Sequence, residues 1–190
     1  ITDSEATIEI SVDNRATDNA GEPVNIVQQQ ALPFEVLHSE FMPVNNAIAI
    51  TSSWPENALY ILDLADFTHT KVSLAKTPTS VAVSGNEVAV GHDAMVTHVS
   101  FATAQPKLTL LNAPVAVFDI ALTSNKVHVT AAGYNWSDLI SIDINSNTFS
   151  NSVNGSLYSG SKIAAHPTQP WIYAANNGLS PDDIDKVDVS

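Results

Sequence analysis

The chain has 190 residues and a mass of 20.2 kDa, enough for one domain or one domain with a stub. It is 44% hydrophobic and 14% charged, with 7 Lys and Arg against 20 Asp and Glu for a net charge of −13. Such apolar content excludes a disordered chain, and such acidity disfavours nucleic acid and anionic membrane surfaces. Cys is absent, which excludes disulfides, thiolate metal sites and Cys nucleophiles. No apolar run reaches the ~18 residues of a membrane-spanning helix. The chain begins at Ile1 without a visible signal peptide, and reads as a processed product or a piece of something longer. Its polarity comes from Asn, Ser, Thr and Asp more than from Lys and Glu, a composition that favours an extracellular, periplasmic or cell-surface bacterial protein.

In chain order, Ile10-Ser11-Val12-Asp13 and Val24-Asn25-Ile26-Val27 predict two strands, with Gln28–Pro33 leading onward. A short pattern then recurs. Ala47-Ile48-Ala49-Ile50-Thr51, Glu87-Val88-Ala89-Val90-Gly91, Val127-His128-Val129-Thr130-Ala131 and Trp171-Ile172-Tyr173-Ala174-Ala175 start 40, 40 and 44 residues apart. Each is apolar and β-branched enough for a strand covered on both faces. Each follows a strand and a turn, the turns carrying Asn45-Asn46, Gly85-Asn86, Ser124-Asn125 and Pro167-Thr168-Gln169. A third strand closes on Asp63, Asp143 or Asp188, where a carboxylate can take backbone N–H groups and start a turn; the second repeat reads Thr97-His98-Val99-Ser100 and lacks the Asp. Fourth strands are expected at Lys71–Leu74, Lys107–Leu111 and Thr148–Val153. The one helix-like stretch, Ser180-Pro181-Asp182-Asp183-Ile184, is a single turn at most.

Four short antiparallel strands every ~40–45 residues is the period of a β-propeller blade; a β-sandwich is the competing architecture. The reading is an all-β chain of about four four-stranded blades, in an incomplete or a small closed ring. Its parts are 1–33 (the end of one blade), 34–75, 76–112 and 113–155 (a blade each), and 156–190 (the first three strands of another). The ring could be longer than this chain supplies. It could instead close small, the N-terminal outer strand completing the last blade, or two copies could join. The segment Ala165-His166-Pro167-Thr168-Gln169-Pro170-Trp171-Ile172-Tyr173-Ala174-Ala175-Asn176, with Asp-ended strands such as Ser141-Ile142-Asp143, resembles the YVTN-type and lactonase-like propellers. That resemblance implies blades around a central channel, commonly seven of them, with ligands at the face where the second-to-third loops gather.

Those loops hold Trp54 and Glu56, His92 and Asp93, Tyr134, Trp136 and Asp138, and Asn177 and Asp182. An indole flanked by carboxylates and amides suits a sugar, the ring covering its apolar face, while packing between blades accounts for the same Trp residues. These nine residues are the expected ligand-binding set. Asn176, Asn177, Asp182, Asp183 and Asp185 form an oxygen-rich group that reads as a solvated turn; Ca²⁺ is the one cofactor it suggests, and no metal ligand is assigned. No nucleophile elbow, phosphate loop or zinc helix motif is present. The expected function is a non-enzymatic binding or scaffold module with a protein or carbohydrate partner, and a second chain or segment completing the ring. The alternative is a lactonase- or hydrolase-like enzyme with a metal-dependent site in the channel.

Overall fold

The computed structural model describes residues 6–11, 27–133, 135–176 and 183–190, with 6–11, 27–29 and 152–156 described by backbone alone. Every regular element among them is a β-strand: β1 (Ala6–Ser11), β2 (Val27–Leu32), β3 (His38–Met42), β4 (Ala47–Ser52), β5 (Ala58–Asp63), β6 (His69–Ser73), β7 (Ser80–Ser84), β8 (Glu87–Ser100), β9 (Lys107–Leu122), β10 (Lys126–Ala131), β11 (Trp136–Asp143), β12 (Phe149–Tyr158), β13 (Lys162–Ala165), β14 (Trp171–Ala175) and β15 (Ile184–Asp188). All pairings are antiparallel.

The first blade is β3-β4-β5-β6 in meander order. The second is β7, β8 and the first part of β9. β8 spans 14 residues but folds back on itself: a straight strand would put Glu87 and His98 roughly 36 Å apart, whereas their side chains meet at 2.9 Å. The reversal lies at Asp93-Ala94, where Ala94 has φ of 54° and the register shifts. β9 then serves two blades. Lys107–Asn112 is the outer strand of the second blade, paired with Met95–Ser100, and Val117–Leu122 is the inner strand of the third, paired with Val127–Ala131. The third blade continues through β10, β11 and β12, and the fourth is the three-stranded β13-β14-β15. β1 and β2 pair with each other as a separate sheet and add no strand to the fourth blade.

The repeat is visible in single hydrogen bonds. The residue after each third strand donates its N–H to the carbonyl just before the second: Leu64 to Asn46 (3.1 Å), Phe101 to Asn86 (2.9 Å), Ile144 to Asn125 (3.0 Å) and Val189 to Pro170 (2.9 Å). The strand-ending carboxylates act as expected. Asp63 Oδ1 accepts from Ala65 N, Asp143 Oδ1 from Asn145 N and Ser146 N, and Asp188 Oδ1 from Ser190 N. In the second blade Ser100 takes the position, its Oγ accepting from Ala102 N at 3.4 Å. The fourth strands run longer or shifted relative to expectation, as His69–Ser73, Lys107–Asn112 and Phe149–Tyr158. Near the N-terminus, β2 occupies Val27–Leu32, so Gln28–Leu32 is strand and not connector; residues 24–26 and most of 180–184 lie outside the described residues.

Blades bury most of their apolar faces against each other. Met42, Ala47, Ala49 and Leu59 of the first pack on Val88, Val90 and Val99 of the second. Ala82, Ala89, Val96 and Leu111 of the second meet Val117, Ile120, Val127, Val129 and Ile142 of the third. Ala121, Leu139 and Leu157 of the third meet Ile163, Ile172, Ala174 and Val187 of the fourth. The other face of the first blade, with Ile50, Ala58, Tyr60 and Leu62, is covered by Leu32 and Phe34; the Phe34 ring stacks on Tyr60 at 3.7 Å between centroids. Alternation along β10 shows why the second strands read as continuously apolar: Val127 and Val129 face the second blade, while Thr130 on the opposite side bonds Ser161 O at 2.9 Å.

Gly91 lies where the second and third blades pack tightly together. A Cβ there would stand 2.5 Å from Ser80 Oγ and 2.6 Å from Val117 Cγ1. Gly91→Ala is expected to destabilise the fold by about 1–3 kcal/mol, as overpacking a filled interior does; urea unfolding with an unchanged slope checks this, and an unchanged midpoint would refute the close packing.

Candidate binding faces

Two indoles stand half in solvent at the second-to-third ends of their blades: Trp54 lies in the loop, whereas Trp136 and Asp138, expected in the loop, belong to strand β11, where they pair with Tyr158 and Ser156. Trp54 is 50% exposed and Trp136 57% exposed, in the first and third blades. Trp54 N donates to Ser52 Oγ at 3.3 Å, and Ser52 Oγ donates to Trp54 O at 2.7 Å, which fixes the loop beneath the indole. Trp136 stands edge-on to Tyr158, 5.7 Å between centroids. Glu56 pairs with Lys71 at 2.6 Å on the surface, and Asp138 Oδ2 accepts from Asn151 Nδ2 at 3.2 Å. Tyr134, Asn177 and Asp182 lie outside the described residues.

His92 differs from its expected role as a ligand residue. Its side chain is fully buried, with Nδ1 donating to Thr77 O at 3.1 Å and Nε2 accepting from Thr97 Oγ1 at 2.9 Å. Burial lowers its pKa, so the ring is a neutral brace across the hairpin of β8 and has no nitrogen left for a ligand. Its neighbour Asp93 is exposed, and its carbonyl accepts from Lys76 Nζ at 2.6 Å. His128 is the same kind of group: between Thr123 Oγ1 (3.0 Å) and Ser141 Oγ (2.8 Å), it is driven by burial to a pKa of about 4. Of the oxygen-rich group, Asn176 is buried and donates from Nδ2 to Asp183 Oδ1 (3.0 Å) and Asp185 Oδ2 (2.9 Å), using those oxygens internally.

The concave features lie at the opposite ends of the blades. The inner strands β3, β7, the second part of β9 and β13 line a channel, and neighbouring inner strands are joined there by carboxylates. Val83 N donates to Glu40 Oε2 at 3.1 Å, and Ile163 N donates to Asp119 Oδ2 at 2.8 Å. Lys162 Nζ sits 3.3 Å from Asp119 Oδ1, and the charges of Lys162 and Asp119 both reach His38. Glu40 stays open to water on one side, but protein around its carboxyl raises its pKa from 4.5 to about 7, through desolvation first and the charge of Asp119 in addition. At the channel mouth, the first-to-second turns of all four blades line a cavity of ≈ 810 Å³ that is open to solvent. Beside it, a cavity of ≈ 390 Å³ between the second and third blades holds Glu87, His98 and Lys107; Ser100 Oγ donates to Glu87 Oε1 at 2.7 Å and His98 Nε2 lies 2.9 Å from Glu87 Oε2.

Sequence reasoning passed over Glu40, Asp119 and Lys126. The available signal was a carboxylate inside an otherwise apolar inner strand, as in Phe118-Asp119-Ile120, where a charge needs a reason.

The fold matches solved β-propellers. Similar structures include the β-propeller domain of Cps50 (Swd1) from Myceliophteria thermophila, with a TM-score of 0.68 and 14% identity over 89% of this chain and 60% of that one. The hydrazine synthase of Kuenenia stuttgartiensis matches with a TM-score of 0.63 and 17% identity over 81% of this chain and 46% of that one. An auxiliary nutrient binding protein from Bacteroides ovatus matches with a TM-score of 0.62 and 17% identity over 83% of this chain and 39% of that one. The chain therefore spans between 39% and 60% of the length of these three chains. No family model matches the sequence, and no curated protein matches it. At these identities the likeness shows the fold alone: the chain is a set of β-propeller blades.

The raised Glu40 carboxyl has a stability consequence. Its folded pKa lies above its unfolded value, so the folded state binds the extra proton between about pH 4.5 and 7. Its stabilising contribution is present below that window and lost as pH rises through it. Glu40→Gln keeps an acceptor for Val83 N and is expected to gain in melting temperature relative to wild type as pH rises from 4.5 to 7. A constant difference across that window would contradict the assignment.

Proposed function

We propose that the chain is a non-catalytic β-propeller module that binds or scaffolds a partner within an exported or cell-surface bacterial protein of the YVTN-like kind. The observation that carries this reading is the pair of half-exposed indoles at the second-to-third ends of two blades, Trp54 in the loop of the first and Trp136 at the start of β11 in the third. Exposed Trp at defined positions offers large contact area with little rotamer entropy to lose, and with Glu56 and Asp138 nearby it suits a protein surface or a carbohydrate. Propellers of similar shape include a nutrient binding protein and the WD40 repeats of RRP9, which supports a binding role in kind without naming a partner. The polar Asn-, Ser- and Thr-rich composition supports the exported setting.

The alternative of a metal-dependent hydrolase would need carboxylates and His converging on one ion in the channel. Glu40, Asp119 and His38 share that channel, yet among the described residues no three His, Asp or Glu side chains stand close enough together to hold an ion. Metal analysis of purified protein tests this directly, and a stoichiometric divalent ion would favour the enzyme.

Screening against a glycan array and against extracellular proteins should yield a binder that Trp54→Ala or Trp136→Ala weakens about ten-fold or more, the loss typical of an aromatic anchor. The melting temperature should fall by only a few degrees, since about half of each ring is already in water. A binder indifferent to both substitutions would place the partner elsewhere.

A further inference from the structure

The channel-mouth cavity is within the size range of small-ligand pockets, and its chemistry is bipolar. The first blade contributes Glu40. Its Oε2 is held by Val83 N, and among the described residues no donor reaches its Oε1. The third blade contributes Lys126, whose Nζ gives one hydrogen bond to Val189 O at 3.2 Å and has further donors to offer. The fourth blade contributes His166. Its Nδ1 accepts from Thr168 N (3.2 Å) and Gln169 N (3.1 Å), which puts the ring proton on Nε2 and makes that nitrogen a donor. Apolar wall surface comes from Phe41, half exposed, and from Val83 and Leu122.

A simple cation in this cavity would leave the Lys126 ammonium facing like charge. A simple anion would meet Glu40 and a chain carrying −13. A ligand with both charges, joined by an apolar stretch, satisfies each wall. We propose that the channel mouth binds short zwitterionic peptides, Glu40 taking the ammonium group and Lys126 with His166 Nε2 the carboxylate. This site is on the opposite end of the blades from Trp54 and Trp136, and it stands independently of the partner face.

Isothermal titration with the tripeptide alanyl-leucyl-alanine, its N-acetylated form and its C-terminal amide tests the assignment, at about pH 8 where Glu40 is ionised. The free tripeptide should bind, and blocking either end should weaken binding about ten-fold or more, the loss of one charge-assisted contact. Glu40→Gln should abolish the preference for a free amine while keeping that for a free carboxylate. Lys126→Gln should do the reverse. Both variants keep a hydrogen-bonding group for Val83 N or Val189 O, and their melting curves check folding. Trp54→Ala should leave the titration unchanged. No heat up to the solubility of the peptide, equal affinity for free and blocked forms, or variants that retain both preferences would each overturn the proposal.

Discussion

A propeller blade is a small twisted sheet with two apolar faces and no helix to cover either, so it is stable only when a neighbour lies on it. Here that constraint is met by small and β-branched side chains. Ala47 and Ala49 set the first blade close against Val88 and Val90, and Ala82 and Ala89 do the same for the second against Val127 and Val129. Gly91 carries the principle to its limit, where even a methyl group would collide with Val117. Leu32 and Phe34 extend the stack on the other side of the first blade, so that its Ile50 and Tyr60 are covered as well.

Blades that stack on their faces come closest at their inner edges, yet inner strands of adjacent blades do not share a hydrogen-bond ladder. Their backbone N–H groups need other acceptors. Glu40 and Asp119 supply two of them, reaching from one blade to Val83 and Ile163 of the next. The same placement concentrates charge along the channel, raises the Glu40 carboxyl, and sets Lys162 beside Asp119. Structure and ligand chemistry therefore draw on the same residues, and the channel is polar because the fold leaves donors there to be satisfied. The buried histidines follow related logic: His92 and His128 are neutral braces that fill a blade interior with a donor and an acceptor.

The repeat was legible because second strands are covered on both faces and must be apolar throughout, which separates Ala47–Thr51 or Val127–Ala131 from their surroundings. Asp63, Asp143 and Asp188 were legible because a carboxylate at a strand end has one common use, and Ser100 shows how a hydroxyl can replace it at longer range. The exposed Trp residues stood out for the opposite reason, being costly groups to leave in water. Contacts across blades could not be read. Nothing in Ser39-Glu40-Phe41 announces a bond to Val83, 43 residues on, and nothing in Gly91-His92-Asp93 tells a buried brace from a ligand-facing ring until the hairpin reversal at Ala94 is known. The cavities were hidden likewise, since each is shared among turns from separate blades.

The central claim is that sequential blades stack through the clusters described. Methyl–methyl nuclear Overhauser contacts in isotopically labelled protein test it most directly. The account predicts cross-peaks from Met42 to Val88, Val90 or Val99, from Ala82 or Ala89 to Val117 or Val129, and from Ala121 or Leu139 to Ile163, Ile172 or Val187. Contacts confined within each blade, or linking the first blade's Met42 face to the fourth blade in place of the second, would contradict the propeller order.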